Sequence, residues 1–303
     1  MVPDSVPSDR FREDFLSTNR EQPGRLVLIG GHEDKKGERV ILREVARQVG
    51  DRTLLIATLP SEVPGEVWYD YLKAFTEIGF RQVEHLEVAR REDAYAPDRI
   101  AQVERAGGVF ITGGDQLRIT SKLGGTPLGA AIEALYRRGG LLAGTSAGAS
   151  VMSEVMIVGG EGEQTPHVRG AMRMAPGLGV LPHLIVDQHF AQRGRLGRLL
   201  AALAHNPRLL AIGIDEDTAA VISDGHLEVM GSGAVTVVDG RNMHHSNLDD
   251  ESNEDRVLSL FGVRLHLLCA GDVLELCTGE PIRGGSEATS GKPRTAEPAA
   301  GER

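Results

Sequence analysis

The sequence predicts an α/β fold of three layers (αβα), with helices on both faces of a mostly parallel, doubly wound sheet and an antiparallel hairpin extension near the C-terminus. Three observations lead there. Short apolar runs bounded by Gly or Pro recur along residues 25–214. Amphipathic helical patterns lie between them. After residue 214 a β-hairpin signature replaces the alternation.

In chain order the runs are Arg25–Gly30, Thr53–Leu59, Val83–Val88, Gly108–Thr112, Leu141–Gly144, Leu184–Val186 and Leu209–Ile214. Near-continuous apolarity, rather than alternation, is what strands covered on both faces require, as in a parallel sheet. Val40, Ile41, Val45 and Val49 follow helical spacing up to Gly50. Trp68, Leu72, Phe75 and Ile78 do the same up to Gly79, and a glycine after the last turn suits a helix C-cap. Strand–helix alternation of this kind builds a doubly wound sheet. Later, Val221–Ile222 and Leu227–Met230 flank Asp224-Gly225, a pair that accepts the positive φ of a tight hairpin turn. The turn Gly231-Ser232-Gly233 and the run Ala234–Val238 read as a continuation on the same core. Residues 1–24 and 279–303, rich in charge, Pro, Gly and Ser, have little to bury and read as disordered tails, which leaves 25–278 as a single domain.

Composition narrows the function. With 33 Lys+Arg against 43 Asp+Glu the formal charge is −10, and no basic block stands out, so nucleic acid is excluded as a partner. No apolar stretch approaches the ~20 residues that span a bilayer, and the first 24 residues hold no apolar signal core. The two cysteines, Cys269 and Cys277, match neither a disulfide framework nor a metal-ligand spacing and read as inert thiols. A reducing cytoplasm is the expected compartment, with no metal.

The strongest local signal is Gly144-Thr145-Ser146-Ala147-Gly148, directly after the run Leu141-Leu142-Ala143. G-x-S-x-G between a strand and a helix is the nucleophile-elbow arrangement, in which a sharp turn among small residues lifts a serine hydroxyl above the strand ends. The amide of Ala147 then sits at a helix N-terminus, where N–H groups favour a developing oxyanion. A serine hydroxyl needs an adjacent base. Of the ten histidines, His189 alone ends a buried run, Leu184–Gln188, at the edge where open α/β sheets place their crevices. The base in turn needs an orienting carboxylate. Asp215, Glu216 and Asp217 end the next run together, and spacing does not choose among them. Thr112-Gly113-Gly114-Asp115-Gln116 follows another strand, and its glycines let backbone approach a bound oxygen. Arg193, Arg195 and Arg198 precede a helical stripe of Leu196, Leu199, Leu200 and Leu203. Cations are disfavoured at a helix N-terminus, so three of them there imply an anion, for example a substrate carboxylate.

Six ordered motifs, Ile29–Lys35, Phe110–Thr120, Gly144–Ser150, Met174–Pro182, Asp187–Leu199 and Ile212–Ala219, resemble the cyanophycinases over about residues 24–278. The resemblance implies a fold similar to class I glutamine amidotransferases and a serine-type exopeptidase without cofactors. It implies a substrate, cyanophycin, built of a poly-aspartate backbone with arginine on each β-carboxyl and released as β-aspartyl-arginine dipeptide. It also implies Ser146 as nucleophile, His189 as base and Glu216 as the orienting acid. Gln116, Asp187, Gln188, Arg193, Arg195 and Arg198 are implied around the substrate, and a homodimer is implied as the assembly. Amides of Gly114, Asp115 and Ala147 are the expected oxyanion donors. The order Ser, His, acid differs from the Ser, acid, His order of α/β-hydrolases. Alternatives are an α-aspartyl or isoaspartyl dipeptidase on the same fold and a non-catalytic binding protein.

Overall fold

Chain order alternates strand and helix through the first half, as the apolar runs predict. In the computed structural model, residues 23–159, 173–249 and 256–282 are described. The first half contains β1 (Leu26–Ile29), α1 (Val40–Val49), β2 (Leu54–Ala57), α2 (Pro64–Glu77), β3 (Val83–Leu86), α3 (Pro97–Arg105), β4 (Gly108–Ile111), α4 (Gln116–Leu123), α5 (Pro127–Arg137), β5 (Leu141–Thr145) and the short α6 (Ala147–Ser150). Then come β6 (Val155–Gly159), β7 (Arg173–Pro176), β8 (Leu184–Gln188), α7 (Leu196–His205), β9 (Leu210–Ile214), β10 (Thr218–Ser223), β11 (His226–Gly231) and β12 (Val235–Asp239). The chain closes with β13 (His245–Ser246), β14 (Leu260–Phe261), β15 (Arg264–Leu268), β16 (Val273–Glu275) and β17 (Glu280–Ile282).

The main sheet runs β17-β16-β11-β10-β1-β5-β4-β2-β3. From β1 to β3 every pairing is parallel; from β1 to β17 every pairing is antiparallel. Side-chain alternation in the parallel strands separates the layers. Leu26 and Leu28 of β1 pack with Val103 of α3, Ile119 of α4 and Ile132 of α5. Val27 and Ile29 pack instead with Ile41 and Val45 of α1 and Phe75 of α2. Each such fully buried aliphatic side chain contributes about 1.5–3 kcal/mol relative to exposure. Val40, on the stripe by spacing, is exposed at the first turn of α1.

The expected hairpin forms as β10 and β11, with Asp224 and Gly225 at φ 50 and 79, the pattern of a type I′ turn. Its expected continuation does not. The run Ala234–Val238 leaves the main sheet and, as β12, joins a second sheet ordered β15-β12-β9-β8. The Gly231–Gly233 turn is redirected because its amides bond backward: Ser232 N–H to the Asp217 carbonyl, Gly233 N–H to Thr218 Oγ1, and Ala234 N–H to Asp215 Oδ2. The strands β8 and β9, expected in the doubly wound sheet, belong to this second sheet and pair in parallel. Most of the expected tails, residues 1–22 and 283–303, lies outside the described residues. The C-terminal boundary expected at 279 moves outward, since Glu280–Ile282 pairs with β16 through backbone bonds that need no buried side chain. Among the described residues no helix is long and apolar enough to cross a membrane.

Candidate active site

Ser146 stands between β5 and α6 with φ 53 and ψ −113, a conformation that L-residues rarely adopt. Its small neighbours make the turn fit: a Cβ on Gly144 would meet the Gly148 carbonyl oxygen at 2.3 Å, and one on Gly148 would meet that of Ile111 at 2.2 Å. The Ser146 N–H donates to the Ile29 carbonyl at 2.9 Å, tying the turn to β1. His189 follows β8, and its N–H donates to the Gly30 carbonyl at 2.8 Å. That bond, with Asp217 N–H to the Gly31 carbonyl at 2.9 Å, brings the strand ends of the second sheet against the end of β1.

Three distant side chains meet there. The Ser146 hydroxyl lies 2.9 Å from His189 Nε2, and His189 Nδ1 lies 2.7 Å from Glu216 Oε1. A carboxylate only accepts, so Nδ1 carries the proton and Nε2 presents a lone pair to the serine. Hydrogen bonds from His32 and then His189 hold the Glu216 carboxyl below its ordinary range, which keeps it ionised. Burial pushes the His189 imidazole down; Glu216 opposes this, while Arg193 and His32 add to it. A neutral base facing a hydroxyl is what nucleophilic attack requires.

The other two acids are spent elsewhere. Asp215 accepts from the amides of Ala191 at 3.0 Å and Ala234 at 3.1 Å. Asp217 accepts from the Asp34 amide at 2.9 Å and from Ser232 Oγ at 2.8 Å. Both brace loops, and Glu216 alone reaches the imidazole.

A cleft of about 260 Å³ opens over Ser146 and His189, lined also by Glu33, Lys35, Asp70, Tyr71, Gly113 and Gly114. Glu33 is buried at its wall. It accepts from Thr145 Oγ1 at 2.6 Å and from the Tyr71 hydroxyl, and pairs with Lys35 at 3.1 Å. Burial and then the Glu33 charge push the Tyr71 phenol well above its ordinary range. Asp70 is exposed there and has no hydrogen-bond partner among the described residues.

Several expected contacts fall elsewhere. The Asp115 amide, expected at an oxyanion, donates to the Pro60 carbonyl at 3.1 Å, and the Asp115 side chain caps α4 through the Leu117 amide at 2.8 Å. The amides of Gly114 and Ala147 have no acceptor among the described residues. Gln116 donates to the Ile157 carbonyl at 2.6 Å and does not line the cleft. Arg198 Nε donates to Asp187 Oδ2 at 2.6 Å, and its Nη2 to Asp187 Oδ1; Arg195 Nη1 reaches the same carboxylate and both oxygens of Gln188. All four residues are buried. The anion demanded by the helix N-terminus is therefore the chain's own Asp187. Burial pushes the Arg195 guanidinium down to about 10. Arg193 is exposed and makes no ion pair among the described residues.

Residues 26–230 match peptidase family S51. The chain belongs to this family. Curated relatives named cyanophycinase include that of Trichormus variabilis, 43% identical over 90% of this chain and 92% of its own, and that of Geminocystis herdmanii, 41% identical over 86% and 96%. A solved peptidase from an acI-B1 actinobacterium superposes with a TM-score of 0.61 at 23% identity, covering 84% of this chain and 98% of its own, a likeness of fold. The protein is thus a serine-type peptidase, as the sequence motifs lead one to expect. Among S51 residues lining the cleft, sequence reasoning gave no role to His32, Glu33, Lys35, Asp70 or Tyr71. The signal for the first three was present: His32, Glu33 and Lys35 follow the run Arg25–Gly30 at a strand's carboxyl end, where crevices form.

Proposed function

We propose that the protein hydrolyses cyanophycin from a chain end, releasing β-aspartyl-arginine dipeptide through a Ser146-His189-Glu216 triad. One observation carries the reading: the unbroken line of hydrogen bonds from hydroxyl to imidazole to carboxylate, at 2.9 and 2.7 Å, in a chain whose curated relatives are cyanophycinases. Ser146 Oγ attacks a backbone carbonyl while its proton passes to His189 Nε2. Glu216 holds the tautomer and stabilises the imidazolium. The amides of Ala147 and Gly114 receive the oxyanion, each worth about 2.7–4 kcal/mol in comparable sites. The proton on Nε2 then passes to the leaving amine as the C–N bond breaks and the acyl-enzyme forms. Water, deprotonated by the same imidazole, adds to the acyl carbonyl and frees the serine.

Each repeat of the polymer carries a guanidinium and a carboxylate. The cleft offers Asp70 for the first and Lys35 for the second, and the exposed Arg193, outside the cleft lining, adds a positive charge felt at His189. A site built for both charges rejects a plain peptide that would leave them unpaired. Asp187, Arg195 and Arg198 act one layer back, fixing the strand end that carries His189.

The test is incubation of purified protein with cyanophycin and with short Asp-X dipeptides, with products identified by mass. Wild-type protein releases β-Asp-Arg from the polymer. Folded Ser146→Ala loses at least ~10³-fold of that activity. Retained activity in Ser146→Ala, or turnover of Asp-X dipeptides alone, overturns the reading.

A further inference from the structure

A second cavity lies over the carboxyl ends of β2 and β3. It measures about 360 Å³, and Thr58, Glu62, Glu87, Val88, Arg118 and Lys122 line it. That volume falls within the ~300–1,000 Å³ of typical ligand sites. One turn separates it from the cleft. The Pro60 carbonyl accepts the Asp115 amide at 3.1 Å, and Gly114, which lines the cleft, lies so close that a Cβ would meet the Pro60 oxygen at 2.3 Å. Ser61, the next residue, lines the second cavity. The contact between Gly114 and Pro60 therefore links the linings of the two spaces.

The walls carry both signs of charge, and they differ in what is already satisfied. Arg118 donates to Glu62, so that pair is internally neutral. Lys122 Nζ donates to the carbonyls of Leu59 at 2.9 Å and Val88 at 3.2 Å. An ammonium has three donors, so one N–H is left for a ligand. Glu87 is exposed at the rim, with no hydrogen-bond or ion-pair partner among the described residues. Thr58 Oγ1 is engaged with His85 Nε2 at 2.8 Å, and the His85 ring is stacked on Trp68 at 5.0 Å, so the floor is stiff.

We infer that this cavity is an accessory site for a neighbouring repeat of the polymer, with Glu87 taking its guanidinium and Lys122 its carboxylate. The inference rests on the proposed substrate. Arginine joined through its α-amine keeps its guanidinium and its α-carboxylate, so every repeat brings one of each charge. A purely acidic or purely basic polymer would satisfy one wall and leave the other unpaired. A second contact of this kind also raises the effective concentration of the chain end at the cleft, adding affinity without altering the reaction centre.

The experiment uses folded Ser146→Ala protein, which does not consume its ligand, and β-Asp-Arg oligomers of one to four repeats, with Kd measured by calorimetry. Affinity is expected to step up by about fivefold, the scale of one exposed ion pair, at the length that first reaches the cavity. Glu87→Lys should erase that step, Glu87→Gln should shrink it, and added salt should weaken it. Absence of a length step, or a step that survives Glu87→Lys, overturns the inference. The two readings fail separately: polymer digestion by wild-type protein without a length step removes only the accessory site, whereas no dipeptide release removes the proposed reaction.

Discussion

Gly31→Ala isolates the geometry of the imidazole from everything else in the site. Gly31 has φ 101, and a Cβ there would lie 2.3 Å from His189 Cε1, 2.6 Å from Nε2 and 2.9 Å from Nδ1. Carbon–carbon contacts settle at ~3.5–4.0 Å, so the ring must retreat by about 1 Å. The backbone does not yield instead. The Gly31 carbonyl accepts from Asp217 at 2.9 Å, and the neighbouring Gly30 bonds both His189 and Thr218. A ring displaced by that amount leaves the 2.7–3.2 Å window of a hydrogen bond, at Ser146, at Glu216 or at both. Misplacement of a reacting group by ~1 Å costs on the order of 10²-fold, and full loss of the general base 10²–10⁴-fold. The alanine also carries backbone strain of about 1–2 kcal/mol at positive φ, which a domain with 5–15 kcal/mol of stability survives.

The assay pairs kcat/KM for dipeptide release with thermal unfolding. Gly50→Ala supplies the control: Gly50 has φ 64 and open space where a Cβ would go, so it carries the strain without the collision. Gly31→Ala should lose ~10²-fold or more in kcat/KM, and Gly50→Ala should lose only Tm. If folded Gly31→Ala works within about threefold of wild type, the imidazole is not held where catalysis needs it, and the triad reasoning fails.

Four other outcomes follow from the structure. Burial lowers the His189 pKa from 6.5, and a base acts deprotonated, so kcat/KM should fall with decreasing pH at a midpoint below 6.5. Arg193→Gln removes a repelling charge and should move that midpoint upward in the pH profile. Arg198→Ala leaves Asp187, 1% exposed, without its two-point partner and should cost about 3–5 kcal/mol in urea unfolding; a loss under ~1 kcal/mol would place the arginine outside the fold's support. Gly225→Val puts a β-branched residue at φ 79 in the β10–β11 turn and should lower stability by about 1–2 kcal/mol, read as a fall in Tm.

Local chemistry was legible in the sequence wherever a short segment dictates its own conformation. The elbow around Ser146 is one such case, because the Gly148 carbonyl four residues on calls for Gly144, although Gly148 itself is demanded by Ile111 on a neighbouring strand. The Asp224-Gly225 hairpin is another. Pairings across the chain were less so. Parity along a strand cannot sort Asp215, Glu216 and Asp217, because β9 ends at Ile214 and the backbone turns over at Asp217, φ 49. What sorts them is which donors wait nearby: amides from residues 191 and 234 for Asp215, an amide from residue 34 for Asp217, and an imidazole for Glu216.

The arginines teach the same point from the other side. Helix electrostatics correctly demanded an anion near Arg195 and Arg198, but electrostatics names a charge and not its owner. Asp187 lies only 8 and 11 residues upstream of them, yet it reaches them because β8 and α7 pack against each other around it. Once Asp187 meets that demand, Arg193, two residues before the buried Arg195 and felt at His189, is the one exposed arginine of the three. A trio read from spacing as one binding surface is therefore two features, a buried pair of arginines bonded to Asp187 and a single exposed charge felt at His189.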